Sequence, residues 1–99
     1  MCYNVQQTCQ LDGSSRVRPK QLLKRLAQGA LQNVAFSDFV SLVEGCGFRL
    51  QRTRGSHHIF AHPDLPELLN LQDVRGEAKP YQIRQFLRLV ERYALKLED

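Results

Sequence analysis

The stretch beginning at Pro80 constrains the fold more than any other part of the chain. Ile83, Phe86, Leu87, Val90, Ala94 and Leu97 keep one apolar face over about four turns of helix. Arg84, Arg88, Arg92 and Lys96 recur at i+4 steps along another edge. A helix of this kind gains most of its stability from whatever covers its apolar face. The remainder of the 99-residue chain must supply that cover, and a chain of this length builds one core rather than two.

Two further helices are expected upstream. Pro19 to Gln28 places proline in a first turn, where its missing N–H costs nothing. Leu22, Leu23 and Leu26 form its apolar stripe, and Gly29 follows as a stop. Ser37 to Gly45 is the stronger segment, with Ser37 as side-chain cap and Asp38 at the positive end of the helix dipole. Phe39, Leu42, Val43 and Cys46 follow the i, i+3, i+4, i+7 spacing of a buried stripe.

Between these helices and the last one the period changes to two. Phe48 to Thr53 and His57 to His62 read as a hairpin about the turn Arg54-Gly55-Ser56, although Arg52 breaks the alternation. Leu68 to Gln72 reads as a third strand, and Asp73 to Lys79 as a polar loop. An α+β fold follows: a three-stranded antiparallel sheet with helices packed on one face, in the order α-β-β-β-α, plus an extra N-terminal helix. Residues 1–17, with no periodicity, read as a flexible N-terminal tail, and residues 18–99 as a single domain.

Several classes are excluded at this level. No apolar run approaches the roughly 18 to 20 residues of a membrane span. Met1 to Gln7 has neither the basic start nor the apolar core of a secretory signal, so the cytoplasm is the expected compartment. Cys2, Cys9 and Cys46 are odd in number and form no Cys-x-x-Cys pair, and they read as buried or idle thiols.

Charge is segregated along the chain. From Gly13 through Ser37 there are five cations (Arg16, Arg18, Lys20, Lys24 and Arg25) and no carboxylate; from Gly45 through Pro63 there are three arginines and three histidines, again with no carboxylate. Such a field favours a polyanionic partner, nucleic acid among them.

The second of these stretches carries the most chemistry. On a regular strand, neighbouring side chains point to opposite faces. His58, Phe60 and His62 therefore share one face, and His57, Ile59 and Ala61 the other. Phe60 should face the helices, which leaves His57 on the open face beside Arg54 and near the strand that carries Arg49 and Arg52. A histidine held against a ribose can take the proton of the 2′-hydroxyl, which then attacks the adjacent phosphate, while arginines offset the growing negative charge. His58 and His62 read as packing residues. The His58-x-x-x-His62 spacing suits a helical metal site, but the segment reads as strand and no cysteine completes a ligand set, so no metal is expected. Tyr81 and Phe60 are candidates to stack on bases, with core or cap roles as the plainer alternative.

The ordered set Gly47, Phe48, Arg54, Gly55, Ser56, His57, Phe60, His62 and Pro63 resembles the HicA toxins of bacterial toxin–antitoxin modules. Leu68 to Gln72 and Lys79-Pro80-Tyr81-Gln82 continue the likeness to a longer subgroup, over about residues 18 to 97. The resemblance implies a fold similar to double-stranded-RNA-binding domains. It also implies an endoribonuclease acting on mRNA, a HicB-like antitoxin partner, and neither a metal nor an organic cofactor. It places the catalytic histidine of the Gly-Ser-His motif at His57. Arg49, Arg52, Arg54, Gly55, Ser56 and Lys79 become the candidate RNA contacts. Two features depart from the short members: the added Pro19 to Gln28 segment, and Asp73-Val-Arg-Gly-Glu77 where they carry Pro-x-His. A non-catalytic RNA-binding module of the same fold, or a protein-interaction domain for an acidic partner, would share the same basic surface.

Overall fold

A computed structural model describes residues 18–97; the expected N-terminal tail therefore lies outside the described residues. The elements run α1 (Pro19–Ala27), α2 (Phe36–Gly45), β1 (Arg49–Arg54), β2 (His57–Ala61), β3 (Leu69–Val74), β4 (Glu77–Ala78) and α3 (Pro80–Arg92). The strands form one antiparallel sheet in the order β1-β2-β3-β4. The α+β fold and the antiparallel sheet expected from the sequence are present, with a short fourth strand added.

That strand lies inside the segment read as a polar loop. Arg75 and Gly76 both take positive φ, at 55° and 84°, which folds β3 directly back onto β4. Asp73 Oδ1 accepts the Gly76 N–H at 2.7 Å and holds the turn closed. The same turn caps α2. Its Gly76 carbonyl accepts the Phe36 N–H at 2.8 Å, and Ala35 forms a β-bridge with Glu77. Ser37 is consequently inside the helix rather than at its cap, because backbone from a distant turn meets the free N–H first.

All three helices end in the same way. In each, the residue after the cap takes positive φ: Gly29 at 94°, Gly47 at 103° and Ala94 at 51°. Paired backbone bonds then satisfy the last carbonyls, such as Ala30 N–H to Arg25, Phe48 N–H to Val43 and Leu95 N–H to Val90. The third instance stops α3 at Arg92, short of the expected Leu97. Lys96 thus leaves the arginine row, and Arg92 pairs with Glu67 at 3.6 Å.

One face of the sheet is covered. Phe60, Leu69 and Leu71 point from β2 and β3 into a core shared with Phe39, Leu42 and Val43 of α2 and Ile83, Phe86 and Leu89 of α3. Phe86 meets Phe39 edge-on at 5.4 Å and Phe48 at 6.1 Å, which ties the two helices and the entry to β1 together. Each such buried side chain contributes about 1.5–3 kcal/mol. α1 docks on α2 through Leu22 and Leu26. β1 is the free edge of the sheet, and all six of its residues are exposed.

Candidate nucleic-acid interface and active site

The opposite, uncovered face of the sheet carries the candidate site. Across β1, β2 and β3 the register sets Arg54 opposite His57 and His57 opposite Gln72; one step along, Arg52 lies opposite Ile59 and Ile59 opposite Asn70. Residues directly paired in this way project from the same face. Arg52, Arg54, His57, Asn70 and Gln72 therefore form one polar, cationic patch.

A β-bulge makes this patch possible. Leu50 pairs with Phe60, but the next pair is Arg52 with Ile59, so Gln51 is an extra residue in β1. Without it, Arg52 and Arg54 would share the core-side parity of Leu50. With it, they turn to the side of His57. The break in alternation at Arg52 visible in the sequence is this bulge.

His57 is exposed, and its Nδ1 lies 3.4 Å from Asn70 Oδ1. The bond is long, but only a protonated Nδ1 can donate to an amide oxygen, so in the neutral ring this contact favours the tautomer with its lone pair on Nε2. No described residue bonds Nε2. The turn beneath is held from two sides: the Ser56 carbonyl accepts the Asp73 N–H at 2.9 Å and the His58 Nδ1–H at 3.1 Å. Gly55 takes φ 57°, as the first central residue of a two-residue hairpin turn can when it is glycine.

The two other histidines serve the frame. His58 packs its ring on Phe36 at 5.0 Å. His62 donates from Nε2 to the Cys46 carbonyl at 3.1 Å, accepts the Asp64 N–H at Nδ1 at 3.0 Å, and meets Phe48 edge-on at 5.2 Å. Burial pushes the Cys46 thiol up to about 11, so it stays protonated and unreactive, as a packed thiol should.

Residues 36–91, more than half of the chain, match the family model of the HicA toxin of bacterial toxin–antitoxin systems. The chain belongs to the HicA toxin family. No curated protein and no solved structure matches it. The matched segment starts at the first residue of α2, runs to the last turn of α3 and contains the whole patch around His57; α1 precedes it. No described helix of this HicA toxin is long and apolar enough to cross a membrane.

Within the HicA fold the residues expected at the site divide. Arg52, Arg54, Gly55, Ser56 and His57 come together at the β1–β2 hairpin. Lys79 is exposed at the other rim of the sheet, between β4 and α3. Arg49 belongs elsewhere. It lies at the far end of β1, opposite Ala61, and its guanidinium donates to the Phe48 carbonyl at 3.1 Å and the Glu44 carbonyl at 3.5 Å. That cation serves the C-terminal end of α2. Asn70 was not among the expected site residues. Its signal was available: on a strand reading Leu69-Asn70-Leu71-Gln72, the polar parity must face the same side as His57 once the register is known.

Proposed function

We propose that this HicA toxin is an mRNA endoribonuclease in which His57 moves the proton. Nε2 of His57 takes the proton of a ribose 2′-hydroxyl. The 2′-oxygen then bonds to the adjacent phosphorus as the bond from phosphorus to the 5′-oxygen breaks. The products are a 2′,3′-cyclic phosphate and a 5′-hydroxyl end, and the proton held on His57 returns to the departing 5′-oxygen. Asn70 holds the ring so that Nε2 faces the RNA. Arg54 and Arg52 offset charge on the phosphorane-like transition state, while Gly55 and Ser56 let the backbone approach the strand. Lys79 adds a phosphate contact at the opposite rim. These residues supply the reaction from their own groups, and the reading calls on no metal or organic cofactor.

The observation that carries the reading is the setting of His57. It is an exposed histidine with one ring nitrogen beside an amide oxygen, the other unbonded among the described residues, and an arginine directly across the hairpin. A HicB-like antitoxin is then the protein that neutralises it, a reading supported by membership of a toxin–antitoxin family, and an mRNA substrate makes the cytoplasm its place of action. Induced expression of the wild type and of His57→Ala, with transcript ends mapped in both, tests the assignment. Growth arrest and new 5′-hydroxyl ends should appear with the wild type alone. The same ends from His57→Ala would remove His57 from the chemistry.

A further inference from the structure

We infer that Tyr81 is a base-stacking residue, holding the base next to the cleaved linkage against its ring. The inference rests on the ribonuclease reading above and adds a specificity element at the β3 rim of the sheet. Tyr81 is the second residue of α3 and is 56% exposed, the one aromatic among the exposed large hydrophobic side chains of the described residues. Its neighbour Gln82 is the reverse, a polar side chain that is only 3% exposed. A buried amide left unpaired costs about 1–3 kcal/mol, and this one is paired at both ends. Gln82 Oε1 accepts the Gln72 N–H at 3.0 Å, and Gln82 Nε2 donates to the Tyr81 hydroxyl at 3.3 Å.

The topology places that pair relative to His57. The Asp73 N–H points toward β2, since it meets the Ser56 carbonyl. The Gln72 N–H, one residue earlier, points the other way, toward the rim beyond β3. β4 has already ended there, because it pairs only with Asp73 and Val74. Gln82 fills the gap and carries the Tyr81 hydroxyl with it. Gln72 is itself the register partner of His57. The tyrosine hydroxyl thus lies one strand spacing and two hydrogen bonds from the His57 backbone, roughly 10 to 14 Å, a span that a neighbouring nucleotide of the same bound strand can bridge. An aromatic ring with a polar edge tied down loses little freedom when a base covers its face. Phe60, the other aromatic considered for stacking, is 1% exposed and belongs to the core.

The test uses the full chain carrying His57→Ala, so that RNA stays intact, and short single-stranded oligoribonucleotides with 2-aminopurine placed at successive positions. Tyr81→Phe, Tyr81→Leu and Tyr81→Ala are added to that background. With the tyrosine present, 2-aminopurine at one position should be quenched on binding. Tyr81→Phe should keep the quench and bind within about threefold of the parent. Tyr81→Leu and Tyr81→Ala should lose the quench and bind about tenfold more weakly, the range expected for one lost base–aromatic stack. Their dependence of log affinity on log salt should not change, since no phosphate contact is removed. Thermal melting of each variant separates this from loss of fold. RNA bound with full quench by a folded Tyr81→Ala protein would overturn the stacking role and leave the ribonuclease reading standing. RNA bound by none of the folded proteins would overturn both.

Discussion

His57 opens β2 and His62 follows its last residue, and the two show how the same side chain is used in two ways. His62 has both ring nitrogens committed, to the Cys46 carbonyl and the Asp64 N–H, and its ring lies against Phe48. A donor on one side and an acceptor on the other define a single neutral tautomer. The ring also fills the space over Gly47, where an added Cβ would approach Nε2 to 2.7 Å. His57 has one long bond to Asn70, no cover and an arginine across the hairpin. A histidine whose nitrogens are both spent on the backbone is a structural bracket. One that is oriented but left with a free nitrogen is equipped to carry a proton.

The contrast can be broken or sharpened by substitution. The largest effect should come from His57→Ala, which should lower the rate of RNA cleavage by about 10²–10⁴-fold while leaving the melting temperature near that of the wild type. Gly47→Ala should do the reverse. A left-handed alanine and a displaced His62 ring together cost about 2–3 kcal/mol, a fall in melting temperature of about 10 °C or more, with cleavage per folded molecule unchanged. If His62 were the proton carrier, Gly47→Ala would instead cut the rate at constant folded fraction.

Asn70→Ala should lower kcat about tenfold and leave KM unchanged, because it frees the His57 ring without removing a phosphate contact; one tenfold step corresponds to about 1.4 kcal/mol of activation energy. A larger rise in KM than fall in kcat would make Asn70 a substrate contact. The smallest expected effect separates two arginines of the same strand. Arg52→Ala should weaken RNA binding and reduce the slope of log affinity against log salt by about 0.7, the value for one phosphate contact on a single strand. Arg49→Ala should leave that slope intact, because its guanidinium is spent on the end of α2. Equal slopes for the two variants would refute the division of the basic strand into a working half and a framing half.

Much of this was legible from residue order. Alternation along His57-His58-Ile59-Phe60 is enough to separate an open face from a packed one, because a regular strand has a period of two whatever lies around it. Gly29 and Gly47 mark helix ends because few other residues enter positive φ cheaply. Ala94 does the same work at the end of α3 without that signal, so the last helix reads as longer than it is. Ser37 resembles a cap in sequence, yet the Gly76 carbonyl holds the free N–H of Phe36. Nothing local to Ser37 announces a turn some forty residues away. The short strand β4 is hidden for a similar reason, since Arg75-Gly76 is not a strong hairpin dipeptide and two residues carry no periodicity.

What the sequence alone determined about this HicA toxin is which segments are helical, which alternate, and that one histidine of three lies on an open face beside basic residues. These properties depend on neighbours within a turn or two of the chain. What only the tertiary structure decided is which groups meet. The bulge at Gln51 turns Arg52 and Arg54 toward His57, the β2–β3 register brings Asn70 to its ring, and the early end of β4 admits Gln82 and with it Tyr81. Each depends on pairing between strands. The register of a pair is set by the packing of the whole core, because a slip of one residue would turn Phe60, Leu69 and Leu71 out to solvent.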